Sequence, residues 1–591
     1  MGKNVQHIAA PPIDELNQLI KLFNAGRFGE VEKQTRLLLE RYPNSGYLWK
    51  LLGSTLHRLD KDALPALNKA VKLLPNDPET HFNLGITQKS LGQLEAAVAS
   101  YRIAVKLKPD FAGAYNNLAD TLQELGQFEA AMIACRRALE LKPNYPGAYF
   151  NLGNTQKDLG QLDDAIASYR RALEIQPDFT RVHGGLLFTL NYHPDLSAEE
   201  IYRLYQGFDS QHCLPLRPMW REHTNDRDPN RRLRIGYVSA DFKHHSCRSF
   251  IEPLLAHHDK TQVEVFAYAE ISKEDYMTAR YKGYVDHWIP TKGMSDETLA
   301  ERIRADRIDV LADLAGHTAG NRLLTFARKP APVSFSWMGY GYTTGLTAID
   351  YYLTDEVSTP PGSEGLFAEQ PWRIDTPAYA YRPNSDMGEV NGLPVLQCGH
   401  ITFGTLTRSV RINYRTIRVW SEILKRVEGS RLVINSSNFK EQMMRERIAE
   451  KFSEQGISRE RLEIGYHSPP WDVMRGIDIG LDCFPHNSGT TLFESLYMGI
   501  PFITLADRPS VGRLGSCILH GIGHPEWIAG SEEEYIAKAL ELSNNLERLA
   551  ALRMSLREEM SKSPLLDEPG FARKVEAAYR KMWKLWCENH K

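Results

Sequence analysis

Between residues 82 and 179, apolar positions return at helical spacing. The segments "FNLGITQKSLGQLEAAVASYRIAVKLKPDF", "NNLADTLQELGQFEAAMIACRRALELKPNY" and "FNLGNTQKDLGQLDDAIASYRRALEIQPDF" begin at 82, 116 and 150, which sets a period of 34 residues. Asn83, Asn117 and Asn151 fall in register, as do Gly92, Gly126 and Gly160, and Pro109, Pro143 and Pro177. This pattern is the tetratricopeptide repeat, a helix pair whose small residues let the helices approach and whose proline stops the second helix. Looser copies at about 11–44 and 45–76 carry Pro43 and Pro75 at the same stage, which predicts five repeats. The segment "TRVHGGLLFTLNYHPDLSAEEIYRLYQGF" follows as a helical cap and connector.

After "REHTNDRDPNRR" the pattern changes to short apolar runs alternating with amphipathic helices. "LRIGYVSAD" (233–241), "VEVFAYA" (263–269) and "IDVLADLAG" (308–316) read as strands, with "RSFIEPLLAHH" and "DETLAERIRAD" as helices. Past a Pro/Gly-rich span from 360 to 394 the alternation restarts with "ITFGTLT", "RLVINSS", "LEIGY" and "IDIGLD". Alternation of this kind gives parallel sheets covered on both faces, here two Rossmann-like lobes facing a cleft. The predicted class is thus α + α/β, a tetratricopeptide α-solenoid followed by two such lobes. The predicted divisions are 1–190 for the repeats, 191–230 for a helical connector, 231–390 and 391–560 for the two lobes, and 561–591 for helices that brace the catalytic region.

Composition narrows the function classes. The chain has 591 residues, 25% of them charged and 42% apolar, with a net charge of −3. Those values exclude a polybasic nucleic-acid binder. No apolar run approaches the ~20 residues of a membrane span, and "MGKNVQHIAAPPIDELNQ" lacks a secretory apolar core, so a cytoplasmic protein is expected. Gly2 is followed by Gln6 where myristoylation wants Ser or Thr, which discounts that anchor. Seven cysteines, scattered and never in a C-x-x-C pair, argue against disulfides and structural zinc.

The candidate chemistry lies in "FPHNSGTTLFESLYMGIPFITL" (484–505). Ligands of open parallel sheets bind beyond strand C-termini, so the loop after "IDIGLD" points at the cleft. The helix that follows starts near Thr490, where free N–H groups suit an anion, Gly489 admits a phosphate, and Ser488, Thr490 and Thr491 add hydroxyls. Glu494 lies one turn deeper, suited to accept both hydroxyls of a ribose. The competing reading is a simple cap with a solvated Glu494. In the other lobe "SADFKHHSCRSF" puts His244 and His245 between a strand end and a helix start, while "DLAGHTAGNR" and "WMGYGYTTG" supply glycine- and hydroxyl-rich turns.

"LRIGYVSADF", "GHTAGNRLLTFARKPAPVSFSWMGY", "TTGLTAIDYYLTD" and "DIGLDCFPHNSGTTLFESLYMGIPFIT" resemble the family 41 protein O-glycosyltransferases, that is, the O-linked N-acetylglucosamine transferases and their SPINDLY relatives. "TTLFESLYMGIP" is closer to the SPINDLY branch, with glutamate at the ribose position. The resemblance implies a metal-independent, inverting GT-B enzyme that needs no cofactor beyond a nucleotide-sugar co-substrate and transfers the sugar to Ser or Thr of proteins. It matches His245 to the active-site histidine, His287 in "VDHWIP" to a second cleft histidine, Thr490 and Thr491 to the diphosphate-binding pair, Glu494 to the ribose-binding acid, and Arg411 to the lysine that neutralises the leaving diphosphate. His245 would serve as general base, or a donor phosphate would accept the proton instead.

Departures from the family stand in "GTLTRSVRI", where Arg408 and Arg411 replace an asparagine-rich run followed by lysine, in "MGYGYTTG", and at Gly489. Arg411 keeps the charge and gains a bidentate fork. Arg408 adds a cation to the donor pocket, which suits a flagellin transferase using a CMP-linked acidic nonulosonic sugar as an alternative to a neutral donor. Protein acceptors, flagellin among them, would lie in the repeat groove, gripped by Asn83, Asn117 and Asn151, whose side chains each offer one acceptor and two donors. Oligomers through the repeats are compatible with this reading; nucleic-acid and membrane partners are not expected. A non-catalytic repeat scaffold with a degenerate transferase module is the second alternative.

Overall fold

A computed structural model describes residues 11–590. Gly2 and Gln6 lie outside the described residues. The chain forms two compact units, residues 11–156 with 167–176, and residues 157–166 with 177–590.

The first unit is built of antiparallel helix pairs. Ile13–Asn24 pairs with Phe28–Arg41, Gly46–Arg58 with Leu64–Leu73, Pro78–Ser90 with Leu94–Leu107, and Ala112–Glu124 with Phe128–Leu141. Pro78 sits at a helix start, where its missing N–H costs nothing, and the preceding Asp77 caps the Thr80 N–H. At two helix crossings a glycine is a steric requirement. A Cβ on Gly85 would stand 2.6 Å from the Tyr101 ring, and one on Gly153 2.7 Å from Tyr169. The intervening turns need a left-handed residue, supplied by Gly92 (φ 75°) and Gly126 (φ 80°).

In the second unit, helices Thr180–Leu190 and Ala198–Phe208 precede two parallel sheets. The first sheet contains β1 (Leu233–Ser239), β2 (Val263–Ala269), β3 (His287–Pro290), β4 (Val310–Asp313), β5 (Val333–Ser336), β6 (Tyr351–Thr354) and β7 (Gln370–Arg373), in the order β3-β2-β1-β4-β5-β6-β7. The second contains β8 (Thr402–Thr405), β9 (Arg431–Asn435), β10 (Leu462–Gly465), β11 (Ile479–Leu481), β12 (Phe502–Leu505) and β13 (Ile528–Ala529), in the order β10-β9-β8-β11-β12-β13. Central strands such as β4, β5 and β8 are buried along their whole length, as strands covered by helices on both faces must be. Both sheets reverse direction of growth at their first strand, the place where such folds open a ligand crevice.

Two details differ from the sequence reading. Strand β7 falls inside the Pro/Gly-rich span from 360, because an edge strand of four residues tolerates the proline at its second position. The run at 308–316 yields only four strand residues, since Asp313 turns the chain by accepting the Ala315 and Gly316 N–H groups.

The final helix, Glu568–Asn589, lays Phe571, Val575, Tyr579, Met582 and Trp583 against the core of the first sheet. Tyr579 and Tyr237 share a hydrogen bond of 2.9 Å there. The chain thus returns from the second lobe to complete the first. The lobes also meet directly, through Tyr352 Oη and Ser510 Oγ at 2.9 Å and through the Cys517 thiol, which donates to Asp355 Oδ2 at 2.9 Å.

Candidate active site

The loop from β11 to the helix Thr490–Tyr497 is shaped by Asp482, the first residue beyond the strand. Its carboxylate is buried and accepts the N–H of Cys483, the N–H of Ser488 and the hydroxyl of Thr504, each at 2.8 Å. Burial pushes this carboxyl up to about 7, against those hydrogen bonds and the Arg411 charge. Asn487, also buried, donates to the Cys483 carbonyl and accepts from Gly515 N–H. The signal for Asp482 in the sequence is an Asp at a strand C-terminus ahead of small residues, in "IDIGLD".

This bracing leaves the helix start open. Gly489 is the residue before the first turn, and no side chain caps it. The simple-cap reading of Ser488 and Thr490 therefore fails. Ser488 is itself buried, with its hydroxyl 3.3 Å from Thr407 Oγ1, so it belongs to the loop's internal bracing instead of the donor surface expected of it. Thr490 and Thr491 stay half-buried at the mouth, with unclaimed hydroxyls.

Glu494 is 8% exposed and takes no hydrogen bond among the described residues. Burial pushes its carboxyl up to about 8, with Arg248 pulling it down and Asp386 adding to the rise. A solvated face is excluded for this residue. A buried, unpaired carboxyl is costly unless a ligand supplies donors.

Arg411 stands beside the same loop. Its Nε approaches His486 Nδ1 at 3.5 Å, and its guanidinium lies 5.8 Å from the centre of the Tyr192 ring. Tyr192 in turn stacks on His486 at 4.5 Å and 9°. Burial, and then the Arg411 charge, hold His486 well below the ordinary imidazole range, so it stays neutral and adds no second positive charge beside Arg411. Neither Tyr192 nor His486 was singled out from the sequence, because their pairing joins segments nearly three hundred residues apart.

In the first lobe, His245 follows β1 and precedes the helix Arg248–Ala256. Its Nδ1 accepts the Cys247 N–H at 3.3 Å, while Asp241 Oδ2 stands at 3.6 Å. Burial chiefly, aided by Lys243, Arg408 and His244 and opposed by Asp241, holds His245 below its ordinary range. Arg408, an exposed residue of the second lobe, therefore lies within electrostatic reach of the first-lobe histidine.

Asp241, His245 and Cys247 bring ligand-type atoms within 4.8 Å of one another. Burial pushes the Cys247 thiol up to about 12, which keeps it protonated, and the surrounding cations suit an anion better than a metal ion.

His287 is not part of this site. It opens the edge strand β3 opposite Phe266, mid-way along β2, and so sits about 10 Å short of the strand ends that line the cleft. Its Nε2 pairs with Glu264 at 2.8 Å and its ring stacks on Phe266 at 4.1 Å. The glycine-rich turns serve the frame as well. His317 Nε2 bonds the Thr344 carbonyl at 2.7 Å, and Glu369 accepts from the Thr344 N–H at 2.7 Å.

In the helical unit, Asn83 donates to Ser54 Oγ at 3.0 Å, and Asn151 donates to Asn116 Oδ1 at 3.0 Å. Both amides thus tie one repeat to the preceding one, and Asn151 is buried. Asn117 accepts from Asn116 Nδ2 at 3.3 Å. The Asn151 amide and one of the two Asn83 amide donors expected to grip a peptide are in use within the repeats.

Two parallel-sheet lobes, with an uncapped helix start, a buried acid one turn below it and an adjacent arginine, define a two-lobed α/β protein. The chain belongs to glycosyl transferase family 41, whose pattern matches residues 213–371 and 393–575. Tetratricopeptide patterns match residues 66–99, 89–126, 120–160 and 146–179.

Among its relatives, the probable UDP-N-acetylglucosamine–peptide N-acetylglucosaminyltransferase SPINDLY of Solanum lycopersicum is 35% identical over 413 residues, 68% of this chain and 44% of that protein. Its Arabidopsis thaliana counterpart is 36% identical over 381 residues, 63% and 42% of the two chains. The chain thus spans less than half the length of these relatives. A mutant of Thermobaculum terrenum O-GlcNAc transferase superposes with a TM-score of 0.82 at 31% identity, over 87% of this chain and 98% of that one. No helix among the described residues is long and apolar enough to cross a membrane.

Proposed function

We propose that this protein is a protein O-glycosyltransferase that moves a sugar from a nucleoside-diphosphate donor to Ser or Thr hydroxyls of proteins, with inversion and without a metal. The observation that carries the reading is the pairing of an uncapped helix start at Thr490 with the unpartnered, buried Glu494 one turn deeper. Diphosphate fits the first and a ribose diol the second. Arg411 stands where the departing diphosphate gathers charge, an electrostatic aid prepared before reaction. The relatives, probable UDP-N-acetylglucosamine–peptide N-acetylglucosaminyltransferases and an O-GlcNAc transferase, support a sugar nucleotide as donor.

The hydrogen bond from Cys247 N–H occupies His245 Nδ1, so the neutral ring carries its proton on Nε2. In this arrangement His245 donates a hydrogen bond and orients an oxygen, which selects the donor phosphate from the two proton acceptors that the family resemblance leaves open. The proton of the acceptor hydroxyl then passes to a donor phosphate oxygen.

Purified protein incubated with panels of UDP-, GDP- and CMP-sugars tests the proposal through nucleotide release and through the intact mass of acceptor proteins. Release with none of the donors overturns it and leaves the repeat scaffold as the reading. A second donor class is favoured by one observation: Arg408 is exposed, makes no side-chain hydrogen bond or ion pair among the described residues, and acts on His245 across the cleft. A carboxylated sugar would supply its partner, and transfer from the CMP-linked donor alone would select that alternative.

A further inference from the structure

Arg248 opens the helix Arg248–Ala256 of the first lobe, and Glu494 lies in the helix Thr490–Tyr497 of the second. An aromatic seam brings these two helix starts together. The Phe250 and Phe493 rings are 5.1 Å apart, Tyr381 stacks on Phe493 at 5.1 Å and 20°, and the Arg382 N–H donates to the Ser249 carbonyl at 2.7 Å. Within this seam Arg248 is the charge that acts most strongly on Glu494. Yet the two form no ion pair, and the Arg248 side chain has no hydrogen-bond partner among the described residues.

The two adjoining helix starts thus offer a half-buried guanidinium with five N–H donors and a buried carboxyl with unclaimed acceptor positions. A group placed between them must offer donors on one side and acceptors on the other. The 2′ and 3′ hydroxyls of a ribose do both, whereas a phosphate would be repelled by Glu494 and has its own place at the helix start above. We infer that Arg248 is a donor-binding residue that, with Glu494, holds the ribose of the nucleotide from the opposite lobe. The inference rests on the proposed function and adds to it a first-lobe contact that makes ribose recognition depend on both lobes. The charged and titratable groups acting around Glu494 are Arg248, Asp386 and Tyr381, and of these Arg248 alone favours its ionised form.

The test is calorimetric binding of UDP and GDP and of their 2′-deoxy analogues to the full chain, between pH 7.5 and 9, for the wild type, Arg248→Gln and Arg248→Lys. The wild type is expected to prefer the ribose form by about tenfold, the scale of one lost hydrogen bond to a charged group. Arg248→Gln should reduce that preference to about threefold or less and shift the rise of affinity with pH upward, while Arg248→Lys restores part of both. An unchanged preference and pH curve in Arg248→Gln overturns the inference. So does an equal loss for the ribose and deoxyribose forms, which would make Arg248 a phosphate contact. Failure of the wild type to bind either diphosphate would instead strike the proposed function itself.

Discussion

The carboxylate of Asp482 accepts the Ser488 backbone N–H at 2.8 Å, closing the turn from 482 to 488 directly ahead of the helix at Thr490. With Thr504 and Cys483 on its other lone pairs, this buried acid braces the loop so that the helix start stays uncapped.

Replacing Asp482 with alanine leaves three donors without partners, each costing about 1–3 kcal/mol when buried. Urea unfolding should show the loss, and diphosphate affinity should fall with it. Replacement by asparagine keeps two acceptor sites and is expected to fall between.

Arg411→Ala is expected to cut turnover by about 10²–10³-fold, the scale for removing one charge-stabilising donor. Arg411→Lys should keep much of the rate, since the charge remains and only the fork is lost. Single-turnover rates check both; equal rates in Arg411→Ala and wild type would remove it from the leaving-group role.

Glu494 makes ligand-free stability depend on pH. Its folded carboxyl titrates at about 8, above the ordinary value of 4.5, so between these values the folded state holds the extra proton. Stability from this group is therefore fully present below about pH 4.5 and declines as pH rises through 8. Glu494→Gln should flatten that decline and gain on the order of 1–3 kcal/mol at pH 8.5. The same variant should bind diphosphate more weakly by about 1–3 kcal/mol, so melting curves with and without nucleotide should move in opposite directions.

His245 gives a comparison between two variants. If its Nε2–H donates, Gln, which carries an amide N–H, should retain more activity than Ala, whereas loss of a general base would lower both by a similar 10²–10⁴-fold factor. Measured kcat for His245→Gln and His245→Ala decides between the roles.

Arg408→Gln should impair a carboxylated sugar donor far more than a neutral one if it pairs with the sugar, because only that donor loses a charge-assisted bond. A uniform fall in kcat/KM across donors would make it a phosphate contact and favour a neutral donor. No change would place it outside the donor site.

Much of this architecture is written in local pattern. The repeats follow from a period of 34 residues, because each helix pair carries its own small residues, turn glycine and terminal proline. The parallel sheets follow from short apolar runs alternating with helices, and the uncapped helix start from a strand end leading into "SGTT" ahead of Glu494. These are properties of contiguous residues, and contiguous sequence suffices to show them. Other features arise only when distant segments meet. His287 sits in a cleft-like motif, but the register β3 takes against β2 carries it back to Glu264, and no single strand encodes its neighbour's register. Asn83 and Asn151 look free in sequence and are tied by the stacking of one repeat on the next. Tyr192 meets His486, and the helix starts that carry Arg248 and Glu494 pack together through Phe250 and Phe493, by the docking of segments that are far apart in the chain. Such pairings depend on which faces pack together, so only the tertiary structure decides whether a polar side chain is a contact to ligand or a strut within the frame.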